Sequence, residues 1–213
     1  MITSIIFDLD GTLLNTLDDL WASVNYSLAQ NGFPLRSKSE IRSFLGNGVR
    51  VLIEKSLPQN IEKTDYEHVL NTFRSYYIAH AMDKTCPYPG VFELLQNLKE
   101  RGIKTAIVSN KPESAVQELY QNLFKDVIDI ALGECPDVLR KPSPDMVLKA
   151  LKLLGSNSSS SVYVGDSEVD YATAQNSGLR FVGVSWGFRD RAFLEELGVD
   201  LIIDKANELL WEL

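Results

Sequence analysis

Two cysteines and two histidines among 213 residues leave this chain little soft-ligand chemistry. Cys86 and Cys135 share no Cys-x-x-Cys spacing and are too few for a disulfide framework, so they read as reduced thiols. His68 and His80 lack cysteine or histidine companions, which argues against a zinc site. No cluster of Lys and Arg occurs, the formal net charge is −8 and the pI is near 4.8. Nucleic-acid binding needs a concentrated basic face that displaces counterions, so no nucleic-acid partner is expected. No apolar run approaches the roughly 20 residues that cross a bilayer. The first apolar run has no basic residues before it and stops at Asp8, unlike a secretory leader. A cytoplasmic protein without a membrane partner is expected. Internal repeats are also lacking.

What is present suits a packed enzyme-sized chain. Hydrophobic residues make up 45% and charged residues 23%, enough for a sizeable core and an ordinary surface. The length fits one core with a smaller inserted piece. Residues 2–9 form a short β-branched run that reads as a buried strand, followed by a turn at Gly11-Thr12. Residues 17–30 then carry apolar side chains at helical spacing and stop at Asn31-Gly32. Polar residues 36–43 follow, then helical patterns over 49–57 and 62–82. No convincing strand is expected between residue 15 and about residue 84.

Beyond Pro87-Tyr88-Pro89-Gly90 the pattern changes. Short apolar strands at 104–109, 127–132, 161–165, 181–184 and 201–203 alternate with helices at 91–101, from 112, 144–154, 168–176, 192–197 and 206–213. Strand-helix alternation of this kind predicts an α/β fold, a Rossmann-like parallel sheet with helices on both faces. The predicted domains are a discontinuous core of residues 1–14 and 85–213, and an inserted helical piece of residues 15–84.

Ligands of open parallel sheets bind at the carboxyl ends of the strands. Those ends carry Asp8 and Asp10, then Ser109-Asn110-Lys111, then Asp166 and Asp170, and Lys141 precedes the helix from Pro144. Singly, a strand-end Asp reads as a cap or turn residue and Lys141 as a solvated charge. Together, several carboxylates on one sheet edge repel one another unless a cation sits among them. Hard oxygen ligands of this type suit Mg²⁺.

Asp8-Leu9-Asp10-Gly11-Thr12-Leu13 resembles the first motif of the haloacid dehalogenase superfamily. Ser109, Lys141 and the segment from Gly165-Asp166 to Asp170 resemble its second, third and fourth motifs in order. The resemblance implies that residues 15–84 are a cap. It implies a nucleophile at Asp8 and a general acid-base at Asp10, whose presence favours phosphate esters over the substrates of dehalogenases. It implies Mg²⁺ held by Asp8, the Asp10 carbonyl and Asp166, with Asp170 supporting that site. Ser109 and the Asn110 amide would hold phosphoryl oxygens, Lys141 would neutralise charge, and Gly11 and Thr12 would shape the loop around Asp10. Asn15-Thr16 departs from the Asp-Ser that many relatives carry there, a change at the linker rather than in the chemistry.

The segments from Gly46 to Lys55 and from Gly183 to Arg189 resemble bacterial phosphoglycolate phosphatases. That makes Gly48, at a helix start, and Arg50 candidate contacts to a substrate anion, although a solvent-facing Arg50 fits the pattern equally. The expected partner is a small phosphorylated metabolite, and the expected assembly a monomer or weak homodimer. A β-phosphoglucomutase-like phosphomutase, a pyrophosphatase and an inactive-fold binding module are the alternatives.

Overall fold

The computed structural model describes residues 2–212. The chain divides into two compact units, one of residues 1–14 and 87–213, the other of residues 15–86. The first unit contains β1 (Ser4–Phe7), β4 (Lys104–Pro112), β5 (Ile130–Glu134), β6 (Ser161–Gly165), β7 (Arg180–Val184) and β8 (Ile202–Ile203). Its helices are α5 (Val91–Glu100), α6 (Glu113–Leu119), α7 (Asp145–Leu154), α8 (Glu168–Ser177) and α9 (Arg191–Glu196). The strands make one parallel sheet in the order β5-β4-β1-β6-β7-β8. The predicted α/β class is therefore observed.

Side chains on successive strand residues point to opposite faces, and the core divides accordingly. Ile5, Phe7, Ile107, Val162 and Val164 pack on one face, against α5 and α6 residues such as Leu95 and Leu119. Ile6, Ala106, Val108 and Tyr163 pack on the other, against Val147 and Leu151 of α7 and Leu194 of α9. Because both faces are covered, the strands read as continuous apolar runs. Buried positions 146, 147, 150, 151 and 154 of α7 form one helical stripe, and the helix ends at Gly155 with φ 64°.

The second unit holds α1 (Leu17–Gln30), α2 (Lys38–Phe44), α3 (Gly48–Ser56) and α4 (Lys63–His80). Val24, Leu28, Ile41, Ile53, Leu70 and Phe73 are buried in it. The buried Asp19 carboxylate accepts hydrogen bonds from the amides of Lys84 and Thr85 and from the Thr85 hydroxyl (2.8–3.1 Å), tying α1 to the returning chain. The two connections between the units pair as two short strands, β2 (Leu14–Asn15) and β3 (Cys86–Pro87).

Four local expectations are corrected. The polar stretch 36–43 contains α2, started by a capping box in which Ser37 and Glu40 bond each other's backbone amides. Only Ile41 of that helix is buried, so periodicity had little to report. The strand expected at 127–132 begins at Ile130, because Val127 and Ile128 still donate to the Phe124 carbonyl and continue the turn after α6. β2 and β3 are two residues each, too short for alternation to register. The last helix is a 3₁₀ turn over Ala206–Trp211, and the end of the predicted range, Leu213, lies outside the described residues.

Replacing Asp19 with Ala removes the buried acceptor of three part-buried donors. The expected cost is about 1–3 kcal/mol, read as a lower urea midpoint at unchanged slope. An unchanged midpoint would show that the tie contributes nothing to stability.

Candidate active site

β1 lies between β4 and β6, so the end of the first strand opens between the ends of two others. In parallel sheets this is where ligands bind. Phe7 is level with Ile107 of β4 and Val164 of β6, and the Asp8 amide donates to the Val164 carbonyl at 2.9 Å. That register sets Asp8 beside the loop after β6, which carries Asp166 and opens α8 with Asp170. A capping box at Ser167 fixes the start of α8: the Asp170 carboxylate accepts from the amide and hydroxyl of Ser167 and from the Asp166 amide.

Lys141 occupies the middle of the cluster. Its ammonium is 2.6 Å from Asp8 Oδ1, 2.7 Å from Asp170 Oδ1 and 3.2 Å from the Tyr163 hydroxyl, and all four residues are buried. Tyr163 donates in turn to Asp170 at 3.1 Å. The Asn110 side chain accepts from the Lys141 amide (2.8 Å) and donates to its carbonyl (3.1 Å), fixing the backbone that carries the ammonium. Carboxylate oxygens of Asp8, Asp166 and Asp170 lie within 4.8 Å of one another.

Three glycines permit this crowding. A Cβ on Gly11 would lie 2.3 Å from an Asp166 oxygen, one on Gly187 would lie 2.3 Å from the Asp166 Cβ, and one on Gly165 would lie 2.3 Å from the Asp170 Cβ. Asp166 Oδ2 also accepts from the Phe188 amide at 2.6 Å.

Electrostatics follow from burial. Desolvation, reinforced by the Asp170 charge, raises the Asp8 carboxyl to about 7 against the opposing pull of Lys141. Asp166 is likewise pushed well up, first by burial and then by Asp170 and Asp8. Burial works against the charge of Lys141, but the Asp170 and Asp8 carboxylates outweigh it and hold the ammonium well above its ordinary value. Buried carboxyls so shifted, oxygen donors only, and glycines that clear space around Asp166 fit a small hard cation.

Asp10 takes a different partner. Its Oδ1 lies 2.9 Å from the Lys111 ammonium and its side chain is partly exposed, outside the close set of three carboxylates. The Thr12 hydroxyl is buried with no hydrogen-bond partner among the described residues, while the Thr12 carbonyl accepts from the Trp186 ring nitrogen at 3.0 Å. The Ser109 hydroxyl accepts from the Lys111 amide at 3.1 Å, leaving its own hydrogen for another acceptor. Both hydroxyls suit an incoming oxyanion. Gly48 and Arg50 belong to the helical unit. Arg50 pairs with Glu67 at 3.3 Å, its side chain about half exposed, and the Tyr66 hydroxyl donates to its carbonyl.

Sequence reasoning gave no role to Lys111 or Tyr163. Lys111 lies two residues after Ser109 on β4, the period that returns a side chain to the same face, and that spacing was the available signal. Tyr163 sits mid-strand and reads as core. Nothing local marks its hydroxyl.

The family model for haloacid dehalogenase-like hydrolases matches residues 5–184, and the chain belongs to that family. A phosphoglycolate phosphatase of Mesorhizobium japonicum is 32% identical over 98% of this chain and 93% of its own length. One from Cereibacter sphaeroides is 37% identical over 87% of this chain and 86% of its own length. The crystal structure of a candidate phosphoglycolate phosphatase from Lactobacillus delbrueckii subsp. bulgaricus superposes with a TM-score of 0.93 at 38% identity, covering 97% of this chain and 96% of that one. The chain is an enzyme of the phosphatase kind within the family.

The raised Asp8 carboxyl has a stability consequence without metal. Its unfolded value is 3.8 and its folded value about 7, so folding takes up a proton between these limits and stability falls as pH rises through that window. Asp8→Asn removes this term. In EDTA the variant should melt above the wild type at pH 8, by roughly 2–4 °C per kcal/mol relieved, and the gap should close towards pH 4. Parallel melting curves across that range would refute the assignment.

Proposed function

We propose that the chain is a Mg²⁺-dependent phosphomonoesterase that transfers the phosphoryl group to Asp8 and then to water, with a substrate of the phosphoglycolate type. The observation that carries the mechanism is the buried Asp8 carboxylate, held 2.6 Å from Lys141 at the sheet edge. The substrate class rests on similarity over nearly the whole chain to proteins named phosphoglycolate phosphatase.

Asp8 attacks phosphorus through a carboxylate oxygen, splitting one hard displacement into two easier ones. The Lys141 ammonium offsets charge that builds on the transferring group, and it keeps one Asp8 oxygen oriented. The Ser109 and Thr12 hydroxyls and the Asn110 amide donate to phosphoryl oxygens. Asp10, two residues from the nucleophile, gives a proton to the departing alcohol and later takes one from the attacking water. Asp8, Asp166 and the Asp10 carbonyl would hold Mg²⁺, which would supply positive charge to offset that of the nucleophile and the phosphoryl group; the carboxylates of Asp8 and Asp166 already lie close together. Asp170 bonds Lys141, Ser167 and Tyr163, and so supports both the ammonium and the loop that carries Asp166. The helical unit, residues 15–86, serves as the cap. No helix among the described residues is long and apolar enough to cross a membrane.

Asp8→Asn should lower turnover by at least about 10⁴-fold while the fold persists, since the amide matches the carboxylate in shape but is no nucleophile. Phosphate release should stop in EDTA and return with Mg²⁺. Persistent activity in purified Asp8→Asn would sink the nucleophile, and full activity in EDTA would remove the metal. Across phosphoglycolate, pyrophosphate, nucleotides and sugar phosphates, kcat/KM should be highest for phosphoglycolate. A different preferred ester would leave the mechanism and overturn the substrate.

A further inference from the structure

We infer that Lys111 is the specificity residue for the substrate's carboxylate, and that binding there releases Asp10 for catalysis. The inference rests on the functional reading above and deepens it.

The Lys111 side chain is only 3% exposed, and its ammonium is 2.9 Å from Asp10 Oδ1, itself 19% exposed. A buried ammonium must keep an anionic partner. The residue is also rigidly mounted. Its amide bonds Ser109 Oγ, and its carbonyl backs onto Gly133, where an added Cβ would sit 2.8 Å away. The Gly133 amide in turn donates to Glu113, the residue that opens α6. A charge on such a mount can discriminate between ligands with little reorganisation.

The position matters as much as the charge. Asp10 is the group that meets the leaving oxygen of the ester. In phosphoglycolate the carboxylate is one methylene from that oxygen. A cation touching Asp10 is therefore within reach of that carboxylate, whereas Lys141 is engaged by Asp8 and Asp170 on the phosphoryl side. Arg50 already has the Glu67 carboxylate as its partner.

An ion pair between Asp10 and Lys111 also opposes the proposed chemistry, because it turns an Asp10 oxygen onto the ammonium and away from the leaving oxygen. The arriving carboxylate resolves this by exchange. Lys111 keeps one carboxylate partner throughout, first Asp10 and then the substrate, and Asp10 turns to the leaving oxygen. An ester without a carboxylate leaves Lys111 on Asp10 and reacts slowly.

The test compares phosphoglycolate with ethyl phosphate, which has the same leaving oxygen and first methylene but no carboxylate. Wild type, Lys111→Met, Lys111→Arg and Arg50→Ala are assayed as full chains with Mg²⁺. In Lys111→Met, kcat/KM should fall about 100-fold for phosphoglycolate, mostly in KM, and should not fall for ethyl phosphate, because the pair that holds Asp10 is gone. Lys111→Arg should recover most of the selectivity, and Arg50→Ala should retain it. An equal loss on both esters would overturn the inference and leave Lys111 a partner of Asp10 alone. Loss of selectivity in Arg50→Ala with Lys111→Met unaffected would move the site to the helical unit. A wild type that hydrolyses both esters equally, or neither, would fail the underlying substrate reading before any variant is considered. If Lys111→Met does not fold, Lys111→Gln is assayed in its place, and an equal change on both esters in that variant would equally refute the carboxylate contact.

Discussion

The arrangement of the site depends on one buried ammonium. Lys141 lies between Asp8 and Asp170 with its side chain 3% exposed, so the cost of desolvating its charge is offset only by the carboxylates it touches. That requirement reaches outward. Asn110 at the end of β4 clamps the Lys141 backbone from both its amide and its carbonyl. Tyr163, in the middle of β6, gives a hydroxyl to the same cluster from within the apolar packing of one sheet face. Asp170 closes the circuit while capping α8. Three strands and a helix start are thus registered by one set of hydrogen bonds.

The glycines at this edge serve the same end. Gly11, Gly165 and Gly187 leave room for carboxylates where any side chain would collide with Asp166 or Asp170. Their absent side chains allow acids from separate segments to approach within 4.8 Å. Such spacing of like charges is stable only with compensating cations or protons.

How much of this the sequence disclosed depends on the range of each interaction. The sheet was legible because its strands are buried on both faces and read as apolar runs, as at 161–165. Asp8 and Asp166 were legible because strand ends are where a parallel sheet binds ligands, and Lys141 because it stands where the family resemblance puts the third motif. The helix α2 was obscure because it is held by a Ser37–Glu40 box and one buried side chain rather than by a stripe. The Tyr163 hydroxyl was obscure because an aromatic in a core strand looks alike whether or not its oxygen finds a buried ion pair. The Lys111–Asp10 pair spans 101 positions, and no local pattern encodes it. The partner of Arg50 likewise depends on how α3 meets α4, which puts Glu67 within 3.3 Å.

Counting charges links these features to the chemistry. Asp8, Asp10, Asp166 and Asp170 face the two ammoniums of Lys141 and Lys111, leaving an excess of two negative charges when every acid is ionised. Burial first, and that excess second, raise the Asp8 and Asp166 carboxyls, so that without a further cation protons take up the difference. A divalent ion would remove it and free Asp8 to act as a nucleophile near neutral pH. A chain carrying a net charge of −8 has no general field to attract a phosphate ester. The proposed function therefore relies on positive charge concentrated at the sheet edge, with Lys141 assigned to the phosphoryl side and Lys111 to the leaving group. That division gives each end of a small dianionic or trianionic ester its own cation, and it requires only a few residues beyond the strand ends.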